Sequence, residues 1–567
     1  MYDTKTIIDH CKMFRILAPT LVGLVLLIHG YSLSLHASIS TTNKKPRAVV
    51  IGGSLAGMLT ARTLSEHYQV TVLEKDSQVA LSTKEDVLQR MKSRSSIPQG
   101  KHIHVLLAEG ARILEELFPT IQSELVRRGG EVVDWPKVYS SCIDGRWFAR
   151  DPNSSVDYGI PTVICSRPLI EQTVREYVQR INDIEFMSGA RVTELVASKD
   201  RGRISGIVAR VVDHNVNASV GFDHHIKADL VIDAMGRGTL AEKWLSELGY
   251  ALPSTDIIDA NIAYADRILK PPTELLDRVN FKVLRVENER GHGTRSGIIF
   301  SIEDGYWLCG LAGYMGDHPP RQSEAWFNFA KTLPHSSLYE LITQCEPVTG
   351  VSIIKSTKNI KRSFKNIPED NYPSGFLCIG DSMCAPNPVY GQGMTMSALG
   401  AVALGKFIGE QKKKKMGIWD RLFNVHGSDD RRSHNVIFDA RTTKRAQMDL
   451  EKSVETAWTL ATSNDKKYIT SSDAEENKKQ SFVAQLLAGY FDRLLVLCFK
   501  EAALNAELVK VGSLMKPFQM LFAPKVLWAV FKSLLFDGDG DGNGEGISNS
   551  KGESVYGKSD VLFKEVV

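Results

Sequence analysis

The chain has 567 residues, a formal net charge of +3, 24% charged and 43% hydrophobic residues. This is ordinary for a globular protein large enough for roughly two to four domains, and without a basic stripe interleaved with aromatics it excludes a nucleic-acid partner. The eight cysteines form no CxxC pair and no His/Cys ligand spacing, which argues against a disulfide framework or a zinc site.

Residues 1–45 read as a signal peptide or signal anchor plus linker. Lys12 and Arg15 precede an apolar run, Ile16 to Ile28, and Leu35-His36-Ala37 offers a cleavage site. Extended through Leu35, the run approaches the ~20 residues of a spanning helix, so cleavage and retention both stay open. The expected location is the secretory pathway or endomembrane, with membrane association.

Arg47-Ala-Val-Val-Ile-Gly-Gly-Ser-Leu-Ala-Gly57 follows, and then Gln69-Val-Thr-Val-Leu-Glu74. A buried strand, a turn (Gly52, Gly53, Ser54, Leu55, Ala56, Gly57), a helix and a second strand make a dinucleotide-binding unit. Gly52 permits the tight reversal, and Gly57 lets helix and strand pack closely. The helix N-terminus offers N–H groups to a pyrophosphate, while Glu74, followed by Lys75, is placed to hold ribose hydroxyls. Ser54 replaces the middle glycine of the GxGxxG pattern.

In Arg94-Ser-Ser-Ile-Pro-Gln99-Gly-Lys-His-Ile-His104, two histidines two apart invite a metal reading, but no third ligand follows. Pro98 and Gly100 instead suit a loop that passes a cofactor, and a helix is expected from Val105 to Leu117. Ser166-Arg167-Pro168 starts another helix, with Arg167 able to reach a phosphate. Ala190 to Val196, containing Val192, is a strand. Asp229-Leu-Val-Ile-Asp-Ala-Met-Gly236-Arg-Gly-Thr is a strand running into a second Gly-rich turn.

From Asp256 to Gly316 short apolar strands with turns predict an antiparallel sheet, the natural roof of a pocket. Gly375-Phe-Leu-Cys-Ile-Gly380-Asp381 is a buried strand delivering a carboxylate. Pro386-Asn-Pro388-Val-Tyr-Gly391-Gln392-Gly393-Met394 is a rigid loop opening a helix that reaches Leu404. Asp381 can accept hydrogen bonds from a ribityl chain, and the helix N-terminus can stabilise negative charge on a flavin ring. Beyond Gly405 the sequence loosens into a solvated charge run, a helix from Asp439 to Ala461 and a polar linker from Thr462 to Gln480. Residues 481–536 hold apolar helices that suit either a core-packing lid or an interfacial membrane helix. Residues 537–567 read as a disordered acidic Gly-rich tail.

Gly52–Gly57 with Glu74, the Asp233–Thr239 turn and Gly380–Met394, in this order, resemble flavoprotein monooxygenases related to para-hydroxybenzoate hydroxylase and squalene epoxidase. Pro98–His104, Asp233–Thr239, Leu311–Pro320 and Pro386–Met394 look most like the polyene epoxidase branch of polyether biosynthesis. The resemblance spans roughly residues 46–535. It implies an α/β fold: a Rossmann-like FAD-binding domain with an interleaved antiparallel substrate sheet and a helical C-terminal region. The FAD-binding catalytic region would be 46–410, with the substrate sheet about 256–355 and a helical and linker region at 411–480.

By the same resemblance Gln99, Arg167 and Gly236 lie near the FAD, the Val192 backbone near adenine, and Asp381 at the ribityl chain. It also implies an enzyme that epoxidises or hydroxylates an apolar polyene or terpenoid with O2 through a flavin hydroperoxide, with NAD(P)H as electron donor. The hydroxylases carry Asp-Gly where this chain has Met235-Gly236, an acid linked in them to pyrophosphate and nicotinamide handling. No catalytic side chain and no metal are assigned. An O2-independent flavin reductase of the geranylgeranyl reductase type and a non-catalytic FAD-bound membrane protein are the alternatives.

Overall fold

Five parallel strands form the sheet that positions the site, in the order Phe376–Cys378, Leu230–Asp233, Arg47–Ile51, Gln69–Glu74, Ile184–Ser188. The side chains of the first four strands are mostly buried, as expected when helices cover both faces of a parallel sheet, while the edge strand Ile184–Ser188 buries only Ile184. The structure, a computed structural model, describes residues 45–76, 87–90, 98–212, 221–288, 293–355, 357–423, 436–470 and 482–536. The targeting segment proposed for residues 1–45 and the tail at 537–567 fall outside these, apart from Lys45. The elements below belong to one compact unit, Arg47–Ser428 with His434–Val567.

The first crossover is the helix Leu55–Ser65, which buries Leu55, Met58, Leu59 and Leu64 against the sheet. The helix expected from Val105 begins only at Ala108 and runs to Leu117. Arg167–Gln179 is a helix capped by Ser166, whose side chain accepts from the Leu169 N–H at 3.4 Å.

The second large sheet has eight strands, seven on its path with Ser352–Ile354 paired beside it, and it is antiparallel as expected except for one pair. Ala263–Lys270, Trp307–Gly313, Arg295–Ser301 and Val283–Glu287 pair antiparallel in that order. Tyr139–Ile143, from far outside 256–355, then adds in parallel to Val283–Glu287. The sheet is therefore mixed, and its edge comes from the segment between the first crossover and the Arg167 helix. Alternation sends Ala265, Leu284, Val286, Ile299 and Leu311 to a core under the helices Ser323–Lys331 and Ser337–Ile342.

Past residue 393 the chain departs from its expected looseness. One helix runs from Gly393 to Phe423, straight through the lysine run. The single helix expected from Asp439 to Ala461 is two, Ala440–Ser453 and Glu455–Thr470, broken at Val454. The second absorbs Thr462–Thr470, expected as linker, because Thr462, Asp465 and Tyr468 face inward. The closing segment forms helices Phe482–Cys498, Ala502–Gly512 and Pro524–Phe536 around a core of Leu494, Leu497, Leu504, Val526 and Val530.

Candidate functional site

At the C-terminal end of the Arg47–Ile51 strand, Gly52 takes φ +111, and a Cβ there would lie 2.5 Å from the Ala234 carbonyl oxygen. A Cβ on Gly57 would lie 1.8 Å from the Gly52 carbonyl oxygen, so helix and turn touch backbone to backbone. Ser54 caps the helix by position but its hydroxyl makes no cap bond. The hydroxyl instead donates to Glu171 at 3.4 Å and accepts from Arg167 Nη2 at 3.3 Å. The helix N-terminus thus keeps its partial positive charge for an anion, beside a guanidinium.

Glu74 ends the second strand buried beside Gly53, where a Cβ would come within 2.9 Å of its Oε2. Its Oε1 accepts from the Asp76 N–H at 3.2 Å, and Arg175 Nη2 lies 3.6 Å from Oε2. Lys75 is exposed. Val192 lies four residues beyond Ser188, the partner of Glu74, and a register shift breaks the pairing of its strand between Val192 and Glu194. Gln99 belongs to the short turn Pro98–Lys101, and a Cβ on Gly100 would lie 3.9 Å from Pro168, so this loop reaches the start of the Arg167 helix.

The other two glycine turns converge on the first. Ile51 pairs with Asp233, and a Cβ on Gly380 would lie 2.9 Å from that of Ala56. Gly236 and Gly393 both flank Asp381: their Cβ atoms would stand 3.8 and 3.9 Å from its side chain. Arg237 Nε is 3.7 Å from the Asp381 carboxylate, which keeps 34% of its side chain open to solvent. Burial pushes this carboxyl above the usual range, while Arg237 and Arg167 pull it down. Asp233 is pushed up to about 6 by burial, against the Thr239 hydroxyl and the Met235 N–H.

Arg167 Nε and Gln392 Oε1 are buried without a hydrogen-bond partner. Buried polar atoms nearly always have one; Gln392 belongs to the third glycine stretch, and Arg167 touches Ser54 of the first. A polar ligand laid from the Gly52–Gly57 turn past Arg167 to Gly391–Met394 fits these residues.

A cavity of about 560 Å³ opens beside the Pro388–Gln392 loop. One wall is the outward face of the eight-stranded sheet, including Tyr264, Asp266, Arg285 and Ile298. The closing helices contribute Phe491, Leu494, Leu508 and Phe518, with Pro388, Gly391 and Gln392 at the loop end. The closing segment is tied down by Ala149 N–H to Cys498 O at 3.1 Å and Asn505 Nδ2 to Ala149 O at 3.0 Å.

Two groups organise this cavity and were not expected. His102 Nδ1 lies 2.6 Å from Asp266 Oδ2, both buried, with Ser352 Oγ 3.5 Å from the other ring nitrogen. Gly310 pairs with Asp266, and a Cβ there would sit 2.2 Å from its Oδ1, so this strand needs glycine to admit the carboxylate. His104 Nδ1 lies 2.8 Å from the His102 carbonyl oxygen, and since a carbonyl only accepts, Nδ1 carries the proton and donates it. Burial and the Arg167 charge drop His104 to about 3, which leaves it neutral.

The second group is Asp465, which accepts from Asn359 Nδ2 at 2.6 Å and Asn387 Nδ2 at 2.8 Å and from the Tyr390 hydroxyl. Tyr264 bonds Asn387 and accepts the Val389 N–H at 2.9 Å. The only sequence signal for Asp266 was an acid inside an apolar strand; for Asp465 there was none. Among the described residues no group of three His, Cys, Asp or Glu could hold a metal ion, and no helix is long and apolar enough to cross a membrane.

No family model matches the chain. It is similar to the Mycobacterium tuberculosis protein Rv3254, 27% identical over 362 residues, or 63% of this chain and 72% of that one. A flavoprotein/dehydrogenase from Cytophaga hutchinsonii has a similar structure, with a TM-score of 0.52 at 13% identity over 88% of this chain and 100% of that one. PqsL of Pseudomonas aeruginosa, solved with 2-aminobenzoylacetate, gives 0.48 at 14% identity over 76% of this chain and 100% of that one. The Cytophaga likeness establishes the fold, a mixed α/β architecture shared with that protein.

Proposed function

We propose that the chain is an FAD-dependent monooxygenase that inserts one oxygen atom of O2 into an alkene or ring of a mainly apolar substrate. The observation that carries this reading is the convergence of the three glycine turns, with the partnerless Arg167 Nε and Gln392 Oε1, the last of these turns lining a roofed cavity through Pro388–Gln392. The turn Gly52–Gly57 and Arg167 would hold the pyrophosphate, Glu74 the ribose, the Val192 strand the adenine side, and Asp381 the ribityl chain. Bound FAD, reduced by NAD(P)H, supplies the activation of O2, one atom going to substrate and the other leaving as water.

The chain's own residues position and shield. The neutral His104 adds no charge beside the ring-side loop. Asp465 fixes the Asn387–Tyr390 loop through three side chains, so the N-terminus of the Gly393 helix is rigidly aimed. The closing helices keep bulk water from the cavity, which protects a reactive oxygen donor. We further propose that the exposed apolar residues Leu527, Trp528, Phe531, Leu534 and Leu535, with Lys525 and Lys532 among them, rest on the endomembrane surface from which such a substrate is drawn.

Purified protein should carry non-covalent FAD, and incubation with NADPH, an isoprenoid alkene and ¹⁸O2 should give product with one ¹⁸O. Hydrogenated product formed without O2 would identify a reductase instead. Loss of all flavin affinity would refute the reading at its root.

A further inference from the structure

Alternation along the eight-stranded sheet decides which side chains face the cavity, and the register shows how they are arrayed. One cross-strand row reads Asp266, Gly310, Ile298, Arg285, Ser141. The next reads Tyr264, Ala312, Ser296, Glu287, Ile143. All ten residues line the cavity. Tyr264 bonds the Asn387–Val389 loop, so the Asp266–Tyr264 end is the end beside the glycine turns. Arg285 stands three strands away, roughly 14 Å at the usual spacing of about 4.8 Å.

At that far end Arg285 Nη2 donates to Glu287 Oε2 at 2.6 Å, with side chains only 19% and 10% exposed. Ser141 and Ser296 sit beside them in the two rows. Between the ends lie Gly310, Ala312 and Ile298, and the facing helices add mainly apolar side chains with Asp492 and Asn505 among them. A ligand that covers this buried ion pair removes the water it still meets, a desolvation cost that hydrogen bonds from the ligand itself offset. A wholly hydrocarbon substrate would worsen that cost.

We propose that the substrate is amphipathic, with a neutral hydroxyl-bearing end docked at Arg285–Glu287 and its reacting carbons about 14 Å away at the Tyr264–Asp266 end. This rests on the cavity being the substrate chamber. Arg285 supplies donors, Glu287 an acceptor, and the two serines either. That mixed set suits an alcohol, which both gives and takes a hydrogen bond. A carboxylate meets the Glu287 charge, and a hydrocarbon leaves the polar groups without new partners.

Three probes of one skeleton separate the cases: retinol, retinoic acid and the hydrocarbon axerophthene. Binding to the full-length FAD-loaded protein is read by quenching of tryptophan emission, since Trp135 lines the cavity. Retinol should bind roughly ten- to a hundred-fold more tightly than axerophthene, the range of hydrogen bonds to charged groups. Retinoic acid should bind more weakly than retinol. Glu287→Gln, nearly isosteric, should strengthen retinoic acid at least about fivefold and leave axerophthene unchanged, with flavin absorbance as the check on folding. Equal binding of retinol and axerophthene to the wild-type protein overturns the inference while the flavin reading stands. The same holds if Glu287→Gln folds and leaves the acid-to-alcohol ratio unmoved. If no probe binds to flavin-loaded protein, the chamber assignment falls, and the inference falls with it.

Discussion

Replacing Gly57 by alanine tests the placement of the cofactor most directly. The added Cβ would start 1.8 Å from the Gly52 carbonyl oxygen, 3.0 Å from its carbon and 3.3 Å from Val50 Cγ1. Both chief obstacles are backbone, so no rotamer change relieves them. The Leu55–Ser65 helix must retreat by roughly 1.5 Å before the contact reaches van der Waals distance. Overpacking of this kind costs about 3 kcal/mol, the upper part of the usual range. The same retreat takes the helix N–H groups out of hydrogen-bond reach of a pyrophosphate. Losing two hydrogen bonds to a charged group, each about 1.5–3 kcal/mol, weakens FAD at least about a hundred-fold. Flavin fluorescence titration and chemical denaturation measure the two effects. Gly409→Ala is the control: it sits in the Gly393–Phe423 helix with nothing within 4 Å of a new Cβ. It should leave FAD affinity alone and stabilise by up to ~1 kcal/mol. A Gly57→Ala protein with full flavin occupancy would refute the assigned turn.

Asp381→Ala should weaken FAD by about 1.5–3 kcal/mol, the worth of a charge-assisted acceptor; an unchanged Kd would show that the carboxylate faces elsewhere. Asp233 has its folded pKa raised to about 6 from 3.8, so its protonated form is favoured by folding. Stability from this group is complete below pH 3.8 and lost as pH rises through 6, up to about 3 kcal/mol. Denaturation midpoints of wild type and Asp233→Asn across pH 4–7 should diverge in slope over that window, and parallel slopes would exclude the assignment. Trp528→Ser with Phe531→Ser should abolish liposome association with flavin content intact, whereas undiminished binding of vesicles would end the membrane proposal.

What could be read from the chain alone were features whose physical requirement is local. A backbone reversal at Gly52, a backbone contact at Gly57 and a carboxylate at the end of a buried strand each demand a residue type in a short window. The groups that shape the cavity meet no such demand. His102 and Asp266 lie 164 positions apart, so the paired histidines and the acid inside an apolar strand each stand out locally but do not point to each other. Asp465 is 78 positions from Asn387, inside a polar stretch whose polarity looked like solvation. Asp465 turns inward to satisfy the Asn387–Tyr390 loop. The Tyr139–Ile143 strand joined the second sheet in parallel, a pairing that periodicity cannot specify because register depends on the partner.

The closing helices show why a lid and an interfacial helix could not be told apart beforehand. Period 3.6 identifies a buried face only when the opposite face is polar. In Pro524–Phe536 both faces are apolar: Val526 and Val530 are 2% exposed, while Trp528 and Leu535 on the other side are 61% and 56% exposed. The two readings are therefore two faces of one element. Its inner face completes the core beneath which Leu494, Phe518 and Leu521 line the cavity. Its outer face stays apolar beyond anything this packing requires. Truncation after Gln480 consequently confounds roof and surface, and only substitutions confined to Trp528 and Phe531 separate them.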